Sequence, residues 1–335
     1  MNTLSIDIGN GFSKIALNPF QVSTFPSHIA ELADPSEACD DRGNNGAIIT
    51  YHDGDRSDLI GRTFAVGTAA AISSPAGFQA IVSEGQNRGK VTWGLILMCN
   101  AIRPTYQGET ITIPEILASL PDTGILGDQF RTAIQGRHVI SRNGDRMTLV
   151  IQRVTLKPES SGCLVSCLTD GAIERGSTNA ILDIGHGTVI STGFSPNGSL
   201  IPQLRSVSDA GIADLLGAIA SDPSLKKAIG GEAKIHLLQR AIMGDFQYGS
   251  TGVNISEIYQ KRLRLWAEKA IKPALQNLAP MADEIDNIIL CGGGANILRK
   301  FAQSKGFIVA NDPQNSHIKG LAIIAQKSSV KSEVA

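Results

Sequence analysis

The chain has almost no net charge. Its 335 residues carry 30 Lys plus Arg against 31 Asp plus Glu, so no global basic field draws it to nucleic acid or anionic lipid. Long hydrophobic runs are also missing: the longest plainly apolar stretch, 95–99, is far too short to span a bilayer. Asp7 interrupts the first apolar stretch, which argues against a secretory signal and for a cytoplasmic setting. Five cysteines, an odd number at irregular spacing, do not make the framework of a disulfide-stapled secreted domain, and reduced thiols are expected. Cys163 and Cys167 are four apart on a predicted helix, yet no further ligands accompany them, and they read as buried apolar thiols. The six histidines are scattered and none pairs into a metal motif. What remains is 42% hydrophobic and 18% charged, an ordinary globular balance at a length that suits about two domains.

One pattern stands out against this plain background. Ile6-Asp7-Ile8-Gly9-Asn10-Gly11 returns as Leu182-Asp183-Ile184-Gly185-His186-Gly187, each behind a short apolar run and ahead of a β-branched stretch. The repetition predicts two related halves, each presenting a carboxylate and a glycine hairpin to one ligand. Backbone amides reach phosphate oxygens only where side chains do not intervene, so Gly9, Gly11, Gly185 and Gly187 suit two phosphate turns. Asp7 and Asp183, at strand ends, suit a hydrated magnesium ion, which keeps most of its waters and prefers hard oxygen ligands. Lys14, on the returning strand, is placed to meet a phosphate as a point charge. His186, inside the second turn, reads mainly as a donor of its backbone amide.

Periodicity supplies the surroundings. Strands are predicted from Leu4 to Ile8 and through Phe12, Ile15 and Leu17, and at 47–51, 110–113, 148–151 and 154–156. A hairpin turns at Asn143-Gly144 and another at Asn197-Gly198. Helices are predicted at 91–102, 128–134, 210–220 and 258–277. The last of these has Lys261, Arg262, Arg264, Lys269 and Lys272 on one side and Tyr259, Leu263, Trp266 and Ala270 on the other, with Leu265 breaking the pattern. Gly211 opens a small-residue helix at a point where something must approach closely. A buried strand at 287–290 runs into Gly292, Gly293 and Gly294 and a helix predicted at 295–303, a candidate contact for a nucleoside or anion. Residues 327–335 read as a frayed polar tail.

Five segments in order, 7–14, 157–162, 183–188, 290–298 and 312–320, resemble the first phosphate, first connecting, second phosphate, adenosine and second connecting motifs of the actin, heat-shock ATPase and sugar kinase superfamily. Within it the stretch from Leu120-Pro121-Asp122 through Gly136-Arg137-His138, the hairpin over Asn143-Gly144 and the strand ending Lys157-Pro158-Glu159 resemble the bacterial actin-like proteins of the ParM/StbA plasmid-segregation type. That resemblance implies an α/β, ribonuclease H-like two-domain ATPase fold, mixed sheets flanked by helices, with the nucleotide in the interdomain cleft. It implies a first domain at 1–172, with a small inserted subdomain at about 26–80 and the helix 316–335 packing back onto it, and a second domain at 173–315.

The same resemblance implies ATP or GTP with Mg2+, polar filaments of the chain itself, and a DNA-binding adaptor of ParR type, without direct nucleic-acid or membrane binding. Glu159 takes the role of orienting the attacking water, beside Asp7 and Asp183. Gly9, Asn10, Gly11, Lys14, Gly185, His186, Gly187, Thr188, Gly211, Gly292, Gly293, Gly294 and Asn296 take the nucleotide. Two positions depart from the family pattern: Asn10 stands where Ser or Thr is frequent, and His186 where Gly or an acidic residue is usual. The main rival is a small-molecule kinase of the same superfamily, like the type III pantothenate kinases or sugar kinases, since Asp7-Ile8-Gly9-Asn10 also resembles their first turn. A heat-shock-type chaperone ATPase is disfavoured, because no peptide-binding domain follows.

Overall fold

The alternation behind the first glycine turn becomes an antiparallel meander of β1 (Thr3–Ile8), β2 (Phe12–Asn18) and β3 (Gln21–Pro26) in the computed structural model, which describes residues 3–34, 36, 38, 45–74, 79–80 and 88–333. Next come β4 (His28–Leu32), β5 (Gly46–Gly54), β6 (Thr63–Gly67), α1 (Thr68–Ser73), β7 (Gln79–Ala80) and α2 (Arg88–Cys99). The first half closes with β8 (Glu109–Ile113), β9 (Glu115–Leu120), α3 (Gly127–Ile134), β10 (Gly136–Arg142), β11 (Asp145–Ile151), β12 (Val154–Pro158) and α4 (Ser161–Thr169). A second meander follows, β13 (Asn179–Ile184), β14 (Val189–Phe194) and β15 (Leu200–Ser208). Helices α5 (Ile212–Ala220), α6 (Pro223–Ile229) and α7 (Ile235–Met243), a small ribbon of β16 (Gln247–Tyr248) and β17 (Val253–Asn254), and the long α8 (Ser256–Leu278) come after it. The chain continues through β18 (Asn287–Cys291), α9 (Arg299–Ser304), β19 (Ile308–Val309) and α10 (Ser316–Glu333).

These elements form two units, one of Met1–Ser166 with His317–Ala335 and one of Cys167–Ser316. Their principal sheets share one plan. In the first unit the order is β12-β9-β1-β2-β3, and in the second β15-β14-β13-β18-β19. Each is a three-stranded antiparallel meander joined to two parallel strands on the far side of its first strand. The duplicated Asp-Gly turn therefore has the same address in both sheets, between the first and second strands.

The first unit carries a further seven-stranded sheet, β7-β4-β6-β5-β10-β11-β8. It draws on 109–113 and 136–151 as well as on 28–80, because β10 pairs with β5 across a long stretch of chain. The predicted Asn143-Gly144 hairpin is there, with φ of +50° and +91°, both in the left-handed region that a tight two-residue turn requires. Asn143 also locks the turn to β5: its Oδ1 accepts from the Ile48 N–H at 2.8 Å, and its own N–H donates to the Ile48 carbonyl at 2.8 Å.

Each unit has its own apolar core, and the helices follow from what they must bury. Leu95 through Cys99 on α2 are fully buried, so the second half of this helix is apolar all round and lies within the first core. In the second core Tyr259, Trp266 and Ala270 of α8 are buried while Leu265 is exposed. The charged side of α8 is not solely a solvated face, because Arg262 donates to Asp222 Oδ2 at 2.7 Å, and Asp222 caps α6 by accepting from the Ser224 N–H at 3.0 Å.

Two local expectations are corrected. The glycine triplet opens into a 3-10 turn at Gly293–Asn296, and α9 begins only at Arg299, because Gly292 and Gly294 press against Ile184 and bend the chain before a helix can start. The tail is not frayed up to residue 333, since α10 runs to Glu333; its apolar side, Ile318, Leu321, Ala322 and Ala325, packs on Ala16 and Leu117. Residues 334–335 lie outside the described residues.

Candidate functional site

In the first unit Asp7 is the penultimate residue of β1 and faces Lys14 across the hairpin. Lys14 Nζ donates to Asp7 Oδ2 at 3.0 Å, and Ser119 Oγ, from β9, to Oδ1 at 3.4 Å. The turn is stiffened from the next strand segment: Gly9 N–H donates to the Phe12 carbonyl at 3.1 Å, Ser27 Oγ to the Gly9 carbonyl at 2.5 Å and Ser27 N–H to the Gly11 carbonyl at 3.0 Å. Asp7 is buried. Burial alone would raise its carboxyl pKa, but the positive charges around it, Lys14 foremost, hold it well below the usual carboxylate range. Asp7 is thus a charged oxygen donor at neutral pH.

Glu159 sits between β12 and α4, where its N–H donates to the Leu120 carbonyl at 3.2 Å. Its Oε1 accepts from Lys90 Nζ at 2.6 Å, and both residues are buried. Ser160 follows with a φ of +76°, a rare conformation for a residue with a side chain. His317, at the start of α10, is also buried, and neither ring nitrogen has a partner among the described residues. Burial pushes its pKa down, so it is neutral at pH 7, within the field of Asp7, Lys14, Glu159 and Lys90. A Cβ on Gly320 would stand 1.7 Å from the Gly162 carbonyl, so α10 crosses α4 at near backbone contact and carries His317 into this cluster.

The second unit repeats the turn with the same closing bond, Gly185 N–H to the Thr188 carbonyl at 2.8 Å. It lacks the lysine: Ile190 is opposite Asp183, with Cys291 on the other side. The start of α5 is welded to this turn. Gly211 N–H donates to the Gly187 carbonyl at 3.2 Å, Ile212 N–H to Gly185 at 3.1 Å and Ala213 N–H to His186 at 2.9 Å. A Cβ on Gly211 would lie 2.2 Å from the His186 carbonyl oxygen, which is why no larger residue fits. Behind it the buried Trp266 indole donates to the carbonyls of Ala210 and Gly211 at 3.2 and 3.0 Å. The His186 side chain itself is exposed.

Gly292 has a φ of +84°, and a Cβ there would stand 2.4 Å from Asp183 Oδ1, so the triplet packs directly against the second carboxylate. Gly293 is different: it is exposed, and a Cβ there would meet nothing within 4 Å. Asn296 Oδ1 accepts from Arg299 Nη2 at 3.0 Å. Asn296 and Arg299 also line a cavity of about 220 Å³ with Met243, Phe246, Tyr259 and Lys300.

The structure thus groups Asp7, Gly9, Asn10, Gly11, Lys14 and Glu159 in the first unit. In the second it groups Asp183, Gly185, His186, Gly187, Thr188 and Gly211 with Gly292, Gly293 and Gly294. Lys90, His317, Ser119 and the anchoring role of Trp266 do not follow from the sequence pattern. For Lys90 the sequence offers nothing beyond a lysine in the first turn of a helix that also holds Arg88 and Thr92. For Ser119 it offers no signal.

Residues 5–162 match the family model of the N-terminal domain of actin-like proteins, and residues 181–327 that of the C-terminal region of archaeal MreB-like actin homologues. No curated protein matches the sequence. Among solved structures the chain is similar to the archaeal actin homolog Ta0583, at 18% identity and a TM-score of 0.75, covering 97% of this chain and 99% of that one. ParM of Bacillus thuringiensis, solved with ATP, is 18% identical with a TM-score of 0.67, covering 98% and 100%. ParM from Clostridium botulinum, solved as a 15-stranded filament, is 15% identical with a TM-score of 0.68, again covering 98% and 100%. At these identities the structures establish a shared fold. With both halves matched by actin-like models, and with mixed sheets flanked by helices in each of its two domains, the chain belongs to the family of actin-like proteins.

Proposed function

We propose that the protein is a nucleotide-driven, filament-forming ATPase that segregates DNA or scaffolds the cytoplasm through an adaptor protein. The observation that carries this reading is the doubled device itself: a carboxylate at a strand end and a glycine turn, on two sheets of one plan, with the buried Glu159 beside the first. Two similar proteins were solved with ATP and with ADP, and a third as a filament, which supports both nucleotide binding and self-association.

In this reading the amides of Gly9, Asn10 and Gly11, and of Gly185, His186, Gly187 and Thr188, cradle the phosphates of ATP or GTP. Gly211 keeps the second turn in shape. Gly292, Gly293 and Gly294 with Asn296 take the nucleoside. Magnesium keeps several waters and is usually bound through one or two carboxylates, so Asp7, held ionised, and Asp183 suit it without a dense ligand cluster. Among the described residues no group of three or more His, Cys, Asp and Glu side chains offers such a cluster. When bound, the ion would neutralise charge building on the phosphate oxygens. Lys14 adds a fixed positive charge beside Asp7. Glu159 holds the nucleophilic water in line, which is the positioning that phosphoryl transfer depends on.

Assembly follows from a head-to-tail contact that does not close into a ring. The adaptor is a DNA-binding protein of ParR type, since the chain itself has no basic field. Among the described residues no helix is long and apolar enough to cross a membrane.

The test is addition of ATP and magnesium to the purified protein. Light scattering should rise, then fall as phosphate is released, with filaments in electron micrographs at the plateau. Sedimentation as a monomer well into the micromolar range, with phosphate transferred to a small-molecule acceptor, would replace this reading with the kinase one.

A further inference from the structure

We propose that Lys90 is the positioning residue for Glu159, its ammonium fixing one carboxylate oxygen and leaving the other for the nucleophilic water; this rests on the role of Glu159 given above. The two side chains are 69 residues apart in the chain and meet at 2.6 Å between Nζ and Oε1. Lys90 is 3% exposed and Glu159 8%.

Stability does not explain such a pair. Taking two charges out of water costs about as much as their attraction returns, and an apolar pair of similar volume often does as well. Nor is Lys90 needed to neutralise the neighbouring carboxylate, because Asp7 already has Lys14 at 3.0 Å. The four charges therefore sort into two pairs, and the second pair is centred on Glu159.

The backbone on both sides is held in a way that serves geometry. Ser160, immediately after Glu159, adopts a φ of +76°, a conformation unfavourable in a residue with a side chain that persists only where surrounding structure imposes it. The Glu159 N–H is tied to the Leu120 carbonyl at the end of β9. Lys90 lies in the first turn of α2, whose later residues Leu95 through Cys99 are fully buried, so its stem starts from a fixed point. A carboxylate with one oxygen clamped and a fixed backbone has little freedom left. That is what a water-orienting group requires, since a displacement of about 1 Å at the reacting centre costs about a hundredfold in rate.

The experiment compares parent, Glu159→Gln, Lys90→Met, Lys90→Gln, Lys90→Arg and the double variant Lys90→Met/Glu159→Gln. Each is checked for folding by thermal melting, for nucleotide Kd with a fluorescent ATP analogue, and for single-turnover ATP hydrolysis. The expected result is a fall of about tenfold or more in hydrolysis for Lys90→Met and Lys90→Gln with Kd changed by less than about threefold, partial recovery in Lys90→Arg, and a double variant no slower than Glu159→Gln. Lys90→Gln decides the matter if the methionine variant does not fold. Parental hydrolysis in the folded Lys90 variants, or effects that multiply with Glu159→Gln, would overturn the assignment. So would a Kd raised tenfold at unchanged rate, which would move Lys90 onto the ligand's phosphates. Equal hydrolysis by parent and Glu159→Gln would instead remove the role of Glu159, and the proposal with it.

Discussion

Lys14 Nζ stands 3.0 Å from Asp7 Oδ2 at the register position that Ile190 occupies opposite Asp183. The two glycine turns share a backbone but not an electrostatic environment. The first is an ion pair shielded from water; the second has a carboxylate packed against Gly292 and an apolar residue across the ladder.

Lys14→Met should therefore destabilise the first unit by about 3 kcal/mol at neutral pH, the usual cost of removing one partner of a buried pair. The Asp7 carboxyl is held low in the folded protein, so its contribution is full above its unfolded pKa of roughly 4 and is lost as pH falls below that value. Urea unfolding should show parent and Lys14→Met far apart at pH 7 and converging below about pH 4. A constant gap across that range would mean that the pair contributes packing and not charge.

His138 gives the opposite end of the neutral range its own signature. Its Nε2 lies 2.9 Å from the Ile134 carbonyl, which can only accept, so Nε2 carries the proton and Nδ1 accepts from the Tyr51 hydroxyl at 2.9 Å. Burial pushes its pKa below the ordinary value of 6.5, against the smaller upward pull of the Ile134 hydrogen bond. The unfolded chain then takes up this proton first, so stability is complete above about pH 6.5 and falls as pH drops below it, levelling once the folded pKa is passed. His317 acts with the same sign. Imidazole NMR signals of His138 that titrate at 6.5 or above would contradict this.

Gly211 and Gly293 separate folding from binding. Gly211→Ala forces a methyl to 2.2 Å from the His186 carbonyl oxygen and should cost about 2 kcal/mol or more of stability. Gly293→Ala meets nothing within 4 Å and should melt within a degree or two of the parent. It should nonetheless weaken ATP binding about tenfold, because the added methyl stands on the face assigned to the nucleoside. Unchanged ATP affinity in Gly293→Ala, measured by calorimetry, would take the triplet out of the site.

Asp7→Ala and Asp183→Ala should each weaken magnesium-nucleotide binding by an order of magnitude or more, since each removes a fixed acceptor for the hydrated ion. Glu159→Ala should bind ATP nearly as the parent does and hydrolyse it slowly, so that scattering reaches a plateau and stays there. Calorimetry showing parental ATP affinity in both aspartate variants at low magnesium would reject the two-turn site.

The duplicated Asp-Gly turns, the hairpin behind the first of them, the turns at Asn143-Gly144 and Asn197-Gly198 and the buried helix expected at 91–102 were all legible in the chain, because each rests on turn chemistry or on the period of apolar residues over a few positions. The 3-10 turn at Gly293–Asn296 was not, since close packing of Gly292 and Gly294 on Ile184 decides it. The polar composition of 327–333 reads as a frayed tail, yet the helix that starts at Ser316 continues through it to Glu333.

The order of residues along the chain thus carries the repeated Asp-Gly turns, and its family resemblance singles out Glu159 as a candidate carboxylate. Tertiary structure alone decided what surrounds them. Lys90 looks like a solvated helix-end lysine until the fold sets Glu159, 69 residues away, against it, and Trp266 looks like plain core until its indole meets the Gly211 carbonyl, 55 residues back. His317 is placed by a helix crossing that permits only glycine at Gly162 and Gly320. The physical reason is common to all three: turns and periods are set by neighbours in the chain, whereas a buried charge or a bonded indole is defined by a partner that only long-range packing supplies.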